Sequence, residues 1–259
     1  MIPVKISVHI AYWHGKERMK YCVSVINDYF RKWDIAKMNI YIHTNTTDAY
    51  EMKPLFIPTN VINIEYIVHD CSAQPFLLTW KCREWIEKQV EELDVCIYLE
   101  DDIGIPFEAF QYWYKYKDAL HSQNLDVGFI RVETKGDELY CSDILLPCNS
   151  PIVIQNRMFV YNHQNYCAFW ICDKQELVRF IASDYWKYHT KFPDGSSSPF
   201  IRESSAIGFK MSYRASFYPV ENGAVSNTCF VYHLPNNYVN NPNCEQGNFN
   251  VKQLLHQRK

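Results

Sequence analysis

The feature that most constrains this chain is a change of hydrophobic period, repeated along its first hundred residues. Lys5–Tyr12 alternates and is rich in β-branched residues, the pattern of a strand. Over Glu17–Trp33 the apolar positions Met19, Cys22, Val23, Ile26, Tyr29, Phe30 and Trp33 follow the i, i+3, i+4, i+7 spacing of an amphipathic helix. Met38–Thr44 and Val61–Val68 read as two further strands. Pro75–Leu93 reads as a second helix, carried by Leu78, Cys82, Trp85, Ile86, Val90 and Leu93. Val95–Leu99 (VCIYL) is a continuous apolar run, suited to a strand covered on both faces. Strands alternating with helices predict an α/β fold with a mostly parallel central sheet flanked by helices.

Beyond Pro106 the pattern predicts an aromatic helix over Phe107–Leu120 and then a more broken region. Strands are expected there at Val127–Val132, Met158–Tyr161, Tyr166–Ile171 and Cys229–His233, enough for a smaller mixed sheet. Asp173 followed by Glu176 reads as a capping box for a short helix carrying Leu177, Phe180 and Ile181. Pro193–Ser198 is a loop, and Ser198-Pro199 reads as an N-cap and first helical residue. The tail from Asn236, rich in Asn, Pro and Gly, is expected to be surface loop. With no internal repeat, residues 1–259 are expected to form one domain.

At 259 residues and 47% hydrophobic content the chain can bury a full core. A formal net charge of -3 without long runs of either sign disfavours a nucleic-acid surface or a polybasic membrane patch. The aromatic share, 16%, suits an aromatic core and equally suits stacking on sugar faces and nucleobases. The N-terminus enters a strand pattern directly, and no run of about 18 apolar residues occurs, so no secretion signal or membrane span is expected. Ten scattered cysteines without a C-x-x-C pair read as thiols of a reducing, cytoplasmic compartment rather than disulfides or a zinc site. The sequon Asn45-Thr46-Thr47 carries no meaning in that setting.

Glu100-Asp101-Asp102 follows the apolar run directly. Three successive carboxylates at the end of a buried strand repel one another unless a cation or a donor compensates. The carboxyl ends of strands in an α/β sheet are also where ligands bind. A divalent metal held by one or two carboxylates and completed by diphosphate oxygens meets both conditions. The plain alternative is a solvated acidic turn.

The run YLEDD, preceded by alternating strands and helices, resembles the D-x-D-type motif of GT-A-fold glycosyltransferases, of which E-D-D is a variant. The resemblance covers roughly residues 5–235. It implies a Rossmann-like single domain: a nucleotide-sugar-binding half over 1–104, an acceptor-side half with a mixed sheet over 105–235, and a tail over 236–259. It further implies Asp102 as ligand of Mn²⁺ (or Mg²⁺), with Glu100 and Asp101 contacting the donor. His233, at the end of a late strand, corresponds to the second metal ligand many members supply; a histidine at a strand end is otherwise common. Inverting members place a carboxylate base near a helix start facing the acceptor. Glu203 is the candidate here, with Asp194 as rival, although the chain lacks the family's clear Glu-Asp pair and a first-turn acid needs no function.

By topology, Ala11, Tyr12 and Trp13 after the first strand should border the nucleobase, with Thr44 nearby. Lys81 or Arg83 on the second helix would reach the diphosphate, unless that lysine simply faces solvent. The pattern, including QPFLLTW before the acidic strand, is also similar to the glycosyltransferases with which chloroviruses decorate their capsid protein. That likeness implies a UDP-xylose, UDP-rhamnose or UDP-glucose donor, a capsid-glycan acceptor and the host cytoplasm. Two other classes stay open. A sugar-1-phosphate nucleotidyltransferase would want a Gly-rich basic loop near the start, where only His14-Gly15-Lys16 stands. A non-catalytic carbohydrate-binding module would use the aromatic residues without needing the carboxylates.

Overall fold

The computed structural model describes residues 2–164, 166–188, 201–206 and 215–255. Its chain is mixed α/β and divides into two compact units, Met1–Ile103 with Ala168–Phe209, and Gly104–Cys167 with Lys210–Lys259.

In the first unit, β1 (Ile2–Tyr12) leads into α1 (Lys16–Ser24), and β2 (Ile35–Thr44) and β3 (Ile62–Val68) follow. Next come α2 (Leu78–Gln89) and β4 (Val95–Glu100). The chain later returns with β11 (Phe169–Asp173) and α4 (Lys174–Ile181). These strands form one sheet in the order β11-β4-β1-β2-β3, parallel except for β11, which runs antiparallel to β4. β2 and β3 therefore lie to one side of β1 and β4 to the other. Such a reversal of strand order opens a crevice at the carboxyl ends of the two central strands. The register pairs Ala11 with Glu100, which places the acidic triplet at that crevice.

The expected helix over Glu17–Trp33 is present with three hydrogen-bond patterns. After α1 the chain passes through a π-type stretch at Val25–Tyr29 and a 3-10 turn at Phe30–Lys32. The wider turn re-phases the helix, so that Cys22, Val25, Ile26 and Phe30 are all buried. β4 is buried at every position, as a continuous apolar run requires. Asp173 caps α4 by accepting from the Glu176 N–H at 2.9 Å, while the Glu176 carboxylate accepts from Arg179 at 2.8 Å.

One face of the parallel sheet carries a line of polar side chains beneath α2. Ser7 Oγ lies 2.8 Å from His9 Nε2, His9 Nδ1 lies 3.0 Å from His43 Nε2, and His43 Nδ1 lies 2.9 Å from His69 Nε2. The period of two puts Ser7 and His9 on the same face of β1, and the neighbouring strands continue the line. Each imidazole has one donor and one acceptor when neutral, so the chain is satisfied when all three rings donate in the same direction. Burial pushes His9 down to about 3; His43 falls well below its ordinary value through burial and its imidazole neighbours, and burial lowers His69.

The second unit begins as the two-residue strand β5 (Ile103–Gly104) ends, and continues through α3 (Phe107–His121) and β6 (Leu125–Val127). Then come β7 (Ile130–Lys135), β8 (Glu138–Cys141), β9 (Asn149–Ile154) and β10 (Arg157–Tyr161). After the chain returns it adds β12 (Ala215–Glu221), β13 (Ala224–Val225), β14 (Phe230–His233) and β15 (Phe249–Asn250). One sheet runs β13-β12-β10-β9 with β6 alongside β12; another contains β15-β8-β7-β14.

The strand expected over Val127–Val132 is split at Gly128. A Cβ there would stand 2.7 Å from the Tyr218 ring and 2.8 Å from the Phe217 carbonyl oxygen, a closeness only glycine permits. The tail is not all loop: β15 pairs antiparallel with β8, and Leu254 is fully buried. Among the described residues no helix is long and apolar enough to cross a membrane.

The histidine line makes the stability of the fold pH-dependent. His9 and His43 have native pKa values below the ordinary 6.5, so the unfolded chain binds more protons and stability is lost as pH falls below about 6.5. Each of the two should contribute a slope of up to about 1.4 kcal/mol per pH unit. Urea unfolding of His43→Gln between pH 6.5 and 4.5 should show a slope reduced by about one proton. An unchanged slope would count against the neutral relay.

Candidate functional site

A cavity of about 260 Å³ opens at the crevice between β1 and β4. Its floor comes from Ala11 of β1 and Glu100 and Asp101 at the end of β4, and Arg18 and Arg202 supply positive charge. It is also lined by the apolar Trp13, Pro75, Phe76 and Leu78, of which Trp13 and the 57%-exposed Phe76 present half-open aromatic faces. A lining of charged groups together with exposed rings matches a ligand with an anionic part and a flat apolar part.

Glu100, Asp101 and Asp102 are all buried, at 7%, 1% and 4% exposure. Arg18 meets this charge. It sits in the first turn of α1, which starts after the three-residue turn Trp13–Gly15 that follows β1, so its side chain reaches the end of the adjacent β4. Its Nε donates to Asp101 Oδ2 at 2.9 Å, and its Nη2 donates to Asp101 Oδ1 and, at 2.9 Å, to Asp102 Oδ2. The planar guanidinium fork thus bridges the two aspartates. Burial pushes the Asp101 carboxyl upward, Arg18 opposes the shift, and the adjacent Asp102 and Glu100 add to it. Burial works against the Arg18 charge, but the Asp101 and Asp102 carboxylates outweigh it and raise its pKa.

The opposite wall is a helical stretch, residues 201–206. Its Arg202 stands 3.9 Å from Glu100 and donates to Glu203 at 3.2 Å. Three contacts fasten the stretch to the sheet and α2: Trp80 Nε1 donates to the Ile201 carbonyl at 2.7 Å, Arg83 to the Ser205 carbonyl at 2.8 Å, and Tyr98 and Ser205 share a 3.1 Å hydroxyl pair. Arg83 also donates to the carbonyls of Tyr185 and Trp186, and its guanidinium lies 4.0 Å from the Trp80 ring centroid. Burial lowers its pKa to about 9. Its partners are carbonyl dipoles and ring faces, so it serves as a stitch rather than as a ligand for phosphate.

In the second unit, β7 and β14 run parallel and bring Glu133 and His233 together. Glu133 is fully buried; its Oε1 lies 2.5 Å from His233 Nδ1, and its Oε2 accepts from the backbone N–H groups of Tyr238 and Val239 at 3.0 and 2.7 Å. Nearby, Arg131 holds Asp143 through two 2.7 Å bonds. Burial raises the Asp143 pKa against the pull of Arg131.

Of the residues singled out in the sequence, Ala11, Trp13, Glu100 and Asp101 line one cavity, and Asp102 joins them through Arg18. Tyr12 is buried instead, its hydroxyl 3.3 Å from His14 Nδ1. Thr44 is buried at the end of β2. Lys81 pairs with Glu84 at 2.8 Å and lines a different cavity, beside Trp80 and Tyr188. Glu203 flanks Arg202, and its side chain is 27% exposed. Asp194, with the loop and N-cap expected around it, lies outside the described residues. His233 belongs to the second unit. Among the described residues no group of three or more His, Cys, Asp or Glu side chains is arranged to hold a metal ion.

The sequence reading missed Arg18, Arg202, Phe76 and Glu133. A signal existed for Arg18 alone: a basic residue in the first turn after β1, where a helix start faces the crevice of an α/β sheet.

The Glu133 network generates a stability prediction. Glu133→Ala would strand a buried imidazole and two backbone donors, and should cost about 3 kcal/mol in urea unfolding. A loss under about 1 kcal/mol would mean that water replaces the carboxylate. In comparisons with known proteins, no protein-family model and no curated protein matches this chain.

Proposed function

We propose that this chain is a glycosyltransferase that uses a nucleotide-sugar donor, of UDP-xylose, UDP-rhamnose or UDP-glucose type, and a glycan hydroxyl as acceptor. The observation that carries the reading is the cavity at the β1/β4 crevice, lined by Glu100, Asp101 and two arginines and also by the exposed aromatic faces of Trp13 and Phe76. A nucleotide-sugar calls for both kinds of group, with its flat base joined to a diphosphate.

The donor set favours a divalent cation as part of the ligand. Glu100, Asp101 and Asp102 are three buried carboxylates at the end of β4. A diphosphate entering alone would add anionic charge beside them. A cation arriving with it needs only one or two protein carboxylates, since phosphate oxygens complete its shell. Asp102, with Asp101 beside it, offers hard carboxylate oxygens suited to Mn²⁺ or Mg²⁺. Once bound, the ion would supply Lewis-acid neutralisation of the departing diphosphate.

The protein's own groups divide the remaining work. Trp13 and Phe76 would hold the base and keep water from it. Arg202 would add a bidentate donor for phosphate oxygens. Glu203 would take the proton of the acceptor hydroxyl as its oxygen bonds to the anomeric carbon, while the bond from that carbon to the diphosphate oxygen breaks and the electron pair leaves with UDP. Attack from the face opposite the diphosphate would invert the configuration.

Thermal unfolding with UDP and MnCl₂ tests the reading. At about 100 times Kd the ligand pair should stabilise wild-type protein by about 2.7 kcal/mol. Asp102→Ala should lose the manganese-dependent part of that shift. Glu203→Gln should keep it while losing transfer from UDP-sugar. Absence of any shift in wild type with any nucleotide-sugar would refute the proposal, and retained transfer in Glu203→Gln would move the base elsewhere.

A further inference from the structure

Arg18, Arg83 and Arg131 differ in how they could leave their partners. Arg83 is 3% exposed and Arg131 5%, so neither can withdraw without opening the core around it. The Arg18 side chain is 37% exposed, while the Asp101 and Asp102 side chains it bridges are 2% and 6% exposed. The carboxylates are fixed at the end of a rigid strand. The cation reaches them on a long, flexible stem, and Arg18 lines the cavity. Withdrawal of Arg18 from the aspartates would therefore move its charge within reach of the cavity and leave the sheet as it is.

Withdrawal alone would take a positive charge away from two buried carboxylates, which holds the fork in place. A divalent cation at the same oxygens reverses the balance, because it neutralises the pair better and repels the guanidinium. We propose that Arg18 is an exchangeable counter-ion: it occupies Asp101 and Asp102 until a divalent cation binds, then turns into the cavity and pairs with the anionic part of the ligand. The inference rests on the nucleotide-sugar reading of this cavity. It assigns Arg18 two successive partners, and makes it the residue that couples cation entry to anion binding.

The exchange has a signature of opposite signs. Without Arg18 the cation loses its competitor at the bridging oxygens, so it should bind more tightly when offered alone. The anion loses its new partner, so it should bind more weakly. A fixed structural ion pair would loosen both or neither.

The test uses the full chain and its Arg18→Met and Arg18→Lys variants. Mn²⁺ binding without nucleotide is followed by electron paramagnetic resonance, and UDP binding at saturating Mn²⁺ by calorimetry. Arg18→Met should bind Mn²⁺ roughly tenfold more tightly and UDP roughly tenfold more weakly, each the size of one charge-assisted contact. Arg18→Lys should fall between Arg18→Met and wild type on both axes.

Weaker or unchanged Mn²⁺ binding in a folded Arg18→Met variant overturns the exchange. Should that variant not fold, wild-type protein labelled with ¹⁵N at arginine Nε decides. The Arg18 Nε–H held by Asp101 should lose its protection from solvent exchange as Mg²⁺ is added; protection kept at saturating Mg²⁺ overturns the proposal. If wild type binds UDP with Mn²⁺ but the signs do not oppose, the exchange fails and the glycosyltransferase reading survives. If wild type binds neither, both fall.

Discussion

The structure turns on one electrostatic problem, negative charge at the closed end of a buried strand. β4 runs inside the sheet, between β11 and β1, with every residue covered, and the chain then presents Glu100, Asp101 and Asp102 at low exposure. Carboxylates in that position are tolerated only where cations reach them. The fold provides for this by starting α1 three residues after β1, so that its first turn overhangs the neighbouring strand end. Arg18 follows from that placement, and the cavity is the space left around it. The local order of strand, short loop and helix thus decides where charge can be stored.

A second polar device keeps the walls in place. Arg83 binds three carbonyl oxygens contributed by two separate stretches of chain, one before and one within the 201–206 helix. Aromatic rings surround its guanidinium, which shields those bonds from water and strengthens them. In the second unit Glu133 does the same with acid in place of base, gathering an imidazole and two backbone N–H groups. Both units therefore bury an ionisable group that organises irregular backbone, where an apolar residue would pack but could not satisfy the donors and acceptors.

Much of this was readable from residue order, and the reasons for success and failure are physical. β1, β2, β3 and β4 stood out because a buried parallel sheet demands long β-branched runs, and α3 because its aromatic stripe is strong. The meeting of Ala11, Trp13, Glu100 and Asp101 followed from strand ends in a parallel sheet. β8 and β9 left little trace: β9 is largely exposed, contains Pro151, and has Ser150 at positive φ, so it lacks alternation. Gly128 split an apparent single strand for a reason visible only in the Tyr218 ring beside it. β15 was hidden because two residues within a polar tail show no period. Arg202 and Phe76 reach the cavity through tertiary placement that spacing does not encode, and Glu133 is one acidic residue among many until β14 lies next to it.

The sheet of the first unit is not contiguous in sequence. Its fifth strand, β11, pairs with β4 only after the chain has passed through 64 residues, Gly104–Cys167, of the other unit. During synthesis, β4 therefore leaves the ribosome as an open edge of apolar residues with unpaired backbone, a hazard for association with other chains. The acidic triplet at its end is well placed to act as a gatekeeper in that interval, repelling like edges. One run of three carboxylates would then serve the nascent chain as well as the finished fold.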